Sequence, residues 1–169
     1  LETPRLGDLP ARGDEPAARR VSLLGVQISD ISRPTAIATM EGFVRAGDGR
    51  CRSMFFVNAH TLNLAVEVPG YRELLNRADL VVNDGTGARW ASRQRGIALR
   101  DNLNGTDLVP DFLRATAGRG YRYYLLGATA DTIRGAAQAA QRDFPGWTLA
   151  GFRNGFIPRN EIDALINEI

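Results

Sequence analysis

Asp84 stands between a buried-type run, Val81-Val82, and two glycines in the segment VVNDGTGARW (residues 81–90). A carboxylate at the lip of a strand, just ahead of a helix start, is either an ordinary Asp-Gly turn acid or a base facing a bound substrate. Three other stretches have a similar character: Asn58 ends the run FFV, Gly105-Thr106-Asp107 opens a helical stretch, and Gly127-Ala128-Thr129 follow YYLL. A glycine turn into a helix offers backbone N–H groups to a phosphate, although glycine after a strand is also routine. Asn58 can bond backbone or ligand. An acid such as Asp107 in a first helical turn commonly serves the helix dipole. GTGARW begins like G-x-G-x-x-G but puts Trp90 where the third glycine belongs, so the dinucleotide fingerprint is incomplete.

Other residue types close off whole classes of chemistry. Every basic residue is arginine, and without a lysine neither a P-loop nor Schiff-base chemistry can operate. His60 is the sole histidine and Cys51 the sole cysteine. A zinc site would have to lean on carboxylates, and a serine triad would need His60 without any G-x-S-x-G elbow. One cysteine also precludes an internal disulfide, which fits a reducing cytoplasm. A formal charge of +2 does not by itself indicate nucleic acid. No apolar run approaches the ~20 residues of a membrane-spanning helix.

The elements that must position these residues alternate. Residues 1–20, rich in Pro, Gly, Arg and acids, read as a tail. The segment 21–29 reads as a strand interrupted by Gly25. Ser32 and Pro34 start a helix whose Ala36, Ile37, Met40, Phe43 and Val44 form an apolar stripe. Strands follow at 53–59, 79–82, 121–128 and 147–151. Helices are expected from His60, from Tyr71 to Arg77, from Ala88 to about Arg95, after an N-cap at Thr106, after Thr129 or Asp131, and from Glu161 to Ile169. Pro110 is placed in the first turn of its helix, where a missing N–H costs little. Such alternation predicts an α/β fold, Rossmann-like, with a mainly parallel sheet and helices on both faces. Residues 21–169 read as one domain. The strand ends carrying Asn58, Asp84-Gly85, Gly127 and Gly151–Gly155 are expected along one sheet edge, where open α/β sheets bind ligands. An α/β pattern should return to a strand after 161–169, so the reading expects a chain cut short.

The stretches FFVNAHTLNLA, ADLVVNDGTGARWASRQRG, NGTDLVPDFL, YYLLGATADTIRGAAQ and GFRNGFI, in this order and spacing, resemble the WecG/TagA/CpsF family of bacterial glycosyltransferases. The resemblance covers residues 21 to 169. It implies inverting transfer of a sugar, N-acetylmannosamine-type or a related hexose, from a UDP-sugar to a polyprenyl-diphosphate-linked saccharide in cell-surface polysaccharide synthesis. In this comparison Asp84 matches the catalytic base and Asn58 a polar residue facing the same pocket, with Gly85 beside them. Gly105, Thr106 and Asp107 match a glycine-led helix start close to the base. Gly127, Ala128 and Thr129 are the candidates for binding the nucleotide.

Two positions depart from relatives. Phe56 stands where many have Thr, and Asn102, placed among the substrate-binding residues, stands where relatives often carry Arg. Family members also continue into a further donor-site segment and a membrane-contacting part, so low activity is expected of this chain alone. No D-x-D occurs, and no metal or other cofactor is expected. The resemblance further implies a cytoplasmic protein peripheral to the inner face of the plasma membrane, contacting that surface when full-length. Nucleic acid is not an expected partner, and self-association through exposed apolar edges is. Two other readings stay open: an NAD(P)-dependent oxidoreductase, suggested by the α/β pattern and GTG, and a non-catalytic family member.

Overall fold

A computed structural model describes residues 19–169. The expected tail lies outside the described residues apart from Arg19 and Arg20, which open the first strand. Two compact units divide the chain, Leu1–Ala115 and Thr116–Ile169. The first holds β1 (Arg19–Leu23), β2 (Val26–Asp30), α1 (Arg33–Arg45), β3 (Met54–Val57), α2 (Ala59–Glu67), α3 (Tyr71–Asn76), β4 (Leu80–Asn83), α4 (Gly85–Arg93) and α5 (Gly105–Ala115). The second holds β5 (Arg122–Leu126), α6 (Ala130–Asp143), β6 (Thr148–Arg153) and α7 (Ile162–Glu168), the last entered through a 3₁₀ turn at Arg159–Glu161.

The α/β class holds, with strands in three two-stranded pairs among the described residues. β3 pairs with β4 and β5 with β6, both parallel, while β1 and β2 are antiparallel. The single strand expected over 21–29 is therefore a hairpin. Leu24 and Gly25 both take positive φ, 49° and 84°, between the register partners Leu23 and Val26. Two such residues make the tight turn whose twist matches paired strands, and glycine at the second position removes most of the cost.

Core residues of the first unit come from every layer: Val26, Ile28, Val57, Leu62, Leu75, Val81 and Ala88 share one buried cluster. Fully burying a Val, Leu or Ile side chain contributes roughly 1.5–3 kcal/mol, so these strands are fixed by what they bury. β2 packs against β4, α3 against β2 and α4 against β1. The loop ahead of β3 is tied by ions: Arg50 pairs with Asp79, whose other oxygen accepts the Ser53 N–H (3.0 Å). The Arg52 guanidinium, with the Arg50 N–H, holds the Asp48 carboxyl well below the usual carboxylate range.

Helix starts follow the sequence in part. Ser32 caps α1 by accepting the Thr35 N–H, with Pro34 in the first turn. Two starts differ from expectation. Helix α4 begins at Gly85, three residues before Ala88, and α5 begins at Gly105, so Thr106 lies inside it while the Asn104 carbonyl accepts the first amides. Pro110 accordingly sits in the body of α5. Its ring nitrogen removes the bond that would reach the Thr106 carbonyl.

In the second unit, β5 and β6 pair with a register shift between Tyr123 and Tyr124. Ile133 and Ala137 of α6, Trp147 and Leu165 are its buried apolar side chains. Trp147 stacks at a tilt on Tyr121 (ring centroids 5.2 Å apart) and donates its Nε1–H to Thr116 (3.2 Å). No helix among the described residues is long and apolar enough to cross a membrane.

Candidate active site

The parallel register of β3 and β4 makes Val57 and Asn83 partners, so the residues that follow them, Asn58 and Asp84, leave the strands side by side. The Asp84 N–H still donates to the Val57 carbonyl (2.8 Å). Each then stands at the N-cap of a helix, Asn58 of α2 and Asp84 of α4. There the likeness ends. Asn58 caps in the usual way, its Oδ1 accepting from the Thr61 N–H (3.0 Å) and the Thr61 hydroxyl (3.1 Å), and its amide donors remain for another group. Asp84 makes no side-chain capping bond. Half-buried at the strand end, its carboxylate has neither hydrogen-bond nor ion-pair partner among the described residues.

Gly85 is the reason for the difference. Its φ of 79° is left-handed, which L side chains rarely adopt, and the chain enters α4 by a path other than that of an ordinary first helical residue. Its N–H donates to Asn102 Oδ1 (2.9 Å), a side chain from a different loop. Gly87 has a separate task. A Cβ there would stand 3.0 Å from the Ala59 Cβ, so glycine lets the starts of α2 and α4 approach. The GTG of the sequence is thus accounted for by chain path and packing.

The third helix start comes to the same strand ends. A Cβ on Gly105 would meet the Phe56 ring at 3.5 Å, ordinary contact, so the first residue of α5 lies against the Phe56 side chain of β3. Thr106 and Asp107 are exposed on that start; the Thr106 hydroxyl accepts from the Asn104 amide (2.8 Å), and Asp107 lies in the first turn as expected. Helix N-termini present unpaired N–H groups and favour negative charge. The starts of α2, α4 and α5 near one carboxylate and one amide form a place suited to a diphosphate and a hydroxyl.

Four residues that the sequence reading passed over build this arrangement. Asn83, 1% exposed, donates its amide to the Asp101 carbonyl (3.0 Å). Asp101 accepts the Arg33 N–H (2.7 Å), and Arg33 reaches Asp111 (2.6 Å) and the Asn102 carbonyl (3.3 Å). Buried Asp30 accepts the Arg100 N–H (2.7 Å) and pairs with Arg19 (2.7 Å). Together they hold residues 100–102 beside β4. A polar side chain inside the otherwise apolar run LVVN was the one visible hint, at Asn83.

Gly127, Ala128 and Thr129 lie in the second unit. Gly127 and Ala128 have positive φ, 148° and 54°, and Thr129 caps α6 by accepting the Thr132 N–H. This turn interlocks with the next: Gly127 N–H donates to the Arg153 carbonyl (3.1 Å) and Gly155 N–H to the Ala128 carbonyl (2.9 Å). Arg153, whose carbonyl accepts the Gly127 N–H, has its guanidinium engaged by Glu161 and Glu168.

The sequence pattern of the Glycosyl transferase WecG/TagA/CpsF family matches residues 21–169. The chain belongs to this family. Among its relatives is a protein of Staphylococcus aureus (strain NCTC 8325 / PS 47), 27% identical over 140 residues, which are 82% of this chain and 54% of that protein. Another, from Bacillus spizizenii, is 30% identical over 93 residues, 55% of this chain and 36% of the relative. Both are named N-acetylglucosaminyldiphosphoundecaprenol N-acetyl-beta-D-mannosaminyltransferase. The chain spans about half the length, or less, of these curated relatives.

Proposed function

We propose that this chain carries the acceptor-side part of an inverting glycosyltransferase. That enzyme moves an N-acetylmannosamine-type sugar from a UDP donor to a polyprenyl-diphosphate-linked saccharide. Family membership and the relatives' names support the transfer and a lipid-linked acceptor. The observation that carries the reading to a residue is the Asp84 carboxylate, at a helix N-cap yet capping nothing.

In this reading an acceptor hydroxyl donates its hydrogen bond to Asp84. As the hydroxyl oxygen attacks the anomeric carbon from the face opposite UDP, its proton becomes acidic and passes to Asp84, and one displacement inverts the centre. An alcohol is a poor acid, so the proton moves late and the carboxylate's larger service is orientation. Asn58, whose amide donors are uncommitted, holds a sugar or phosphate oxygen beside it. The N–H groups at the starts of α2, α4 and α5 offset negative charge on the diphosphate. The turn Gly127–Thr129 with the start of α6 is proposed for the donor's phosphates. A mechanism without a metal fits the lack of D-x-D, and a Rossmann-like arrangement of the whole enzyme fits its parallel pairs. A lipid-linked acceptor would put the enzyme on the inner face of the plasma membrane.

Incubation with a panel of UDP-sugars and a short-chain lipid-diphosphate-GlcNAc acceptor, read by mass spectrometry, tests this proposal. Product from a UDP-N-acetylhexosamine is expected. No product from any pair, alongside NAD(P) binding by calorimetry, would replace it with the oxidoreductase reading.

A further inference from the structure

We infer that Asn102 is a positioning residue that keeps the Asp84 carboxylate from capping its own helix. The inference rests on the reading of Asp84 as the base. Aspartate is among the strongest N-cap residues, because its oxygen can accept an N–H from the second or third helical position. Left to local preference, Asp84 would turn onto the Thr86 or Gly87 N–H and be spent on structure. Two features oppose that. Gly85 enters α4 with a φ of 79°, and the Gly85 N–H is held by Asn102 Oδ1 at 2.9 Å. The first amide of α4 is therefore satisfied from outside the helix, and the left-handed entry is pinned in place.

Asn102 is suited to the task by its own anchoring. Its carbonyl accepts from Arg33 (3.3 Å), and the preceding residue, Asp101, is held through its carbonyl by Asn83 and through its carboxylate by the Arg33 N–H. An acceptor is required opposite an N–H, so the Asn102 oxygen, not its nitrogen, faces Gly85. This assigns to Asn102 a role besides substrate contact. It also gives a physical use for an uncharged acceptor here, where a cation could not accept the Gly85 N–H.

Amide NMR titration of the chain, without any substrate, separates this inference from the glycosyltransferase reading. In the wild type the Thr86 and Gly87 amides are expected not to follow Asp84 ionisation. In Asn102→Ala one of them is expected to do so, with the downfield shift of an N–H bonded to a carboxylate, and Asp84→Asn on that background is expected to remove it. Asn102→Asp, which retains an acceptor, keeps Thr86 and Gly87 silent while Gly85 follows the new carboxylate. In the transfer assay, Asn102→Ala is expected to lower kcat about tenfold with KM for the acceptor within about twofold. It should add nothing to Asp84→Asn. Amides of Thr86 or Gly87 that already follow Asp84 in the wild type, or that stay silent in Asn102→Ala, would overturn the inference.

Discussion

The pairs β3–β4 and β5–β6 are built alike, two parallel strands each leading toward a helix, yet they end in different chemistry. At the first, side chains do the presenting. Asn58 and Asp84 emerge together, one capping its helix and the other held away from its own. At the second, backbone does it. Glycine and a left-handed alanine turn the chain, Thr129 caps α6, and the neighbouring turn through Gly155 closes over Gly127. A Cβ at Gly155 would stand 3.0 Å from the Gly127 Cα, with backbone on every near side. The difference teaches that a free functional group at a strand end needs structure elsewhere to relieve it of local duty. A backbone turn needs only room.

That contrast can be broken at either end. Gly155→Ala forces the two interlocked turns apart with no side chain able to yield, and we expect it to cost about 1–3 kcal/mol. Gly85→Ala suffers no clash, since nothing lies within 4 Å of the new Cβ, but must hold a left-handed residue. A loss of about 1–2 kcal/mol is expected. Chemical denaturation of both variants checks the order. Asn58→Ala deletes a working cap and should cost about 1 kcal/mol by the same measurement.

The smallest effect is one of pH. Tyr124 donates to Glu168 (2.8 Å), and that bond, with desolvation and the carboxylate's charge, raises its pKa above the ordinary 10.0. A raised value means the protonated phenol is favoured by the fold. Its contribution is full below pH ~10 and is lost as pH climbs through the folded value. Tyr124→Phe should therefore lower the melting temperature slightly at neutral pH, where the contribution is present, and flatten its alkaline fall, so that the two proteins converge as pH passes the folded value.

What could be seen in the sequence was local. Ser32 with Pro34, a cap at Thr129, one of the two candidates there, and the approximate position of each later strand are decided by residues adjacent in the chain. Asn58 and Asp84 were legible as polar residues at strand ends for the same reason. The hairpin at Leu24-Gly25 was hidden because a left-handed leucine carries no turn signature. The starts of α4 and α5 were misplaced because the partners of their first amides are not the expected caps: Asn102 lies 17 residues beyond Gly85, and Asn104 serves α5 through its carbonyl. The scaffold of Asp30, Arg33, Asn83 and Asp101 was missed because it is tertiary. Each of these bonds joins residues 18 to 70 apart in sequence.

The central claim is that the uncommitted Asp84 carboxylate removes a proton during sugar transfer. The turnover of Asp84→Asn with the UDP-sugar and acceptor that serve the wild type, with melting temperature followed in parallel, tests it most directly. The account predicts a fall in kcat of about 10²–10⁴-fold with an unchanged melting temperature, because the side chain makes no bond among the described residues. Turnover within about twofold of the wild type would contradict it.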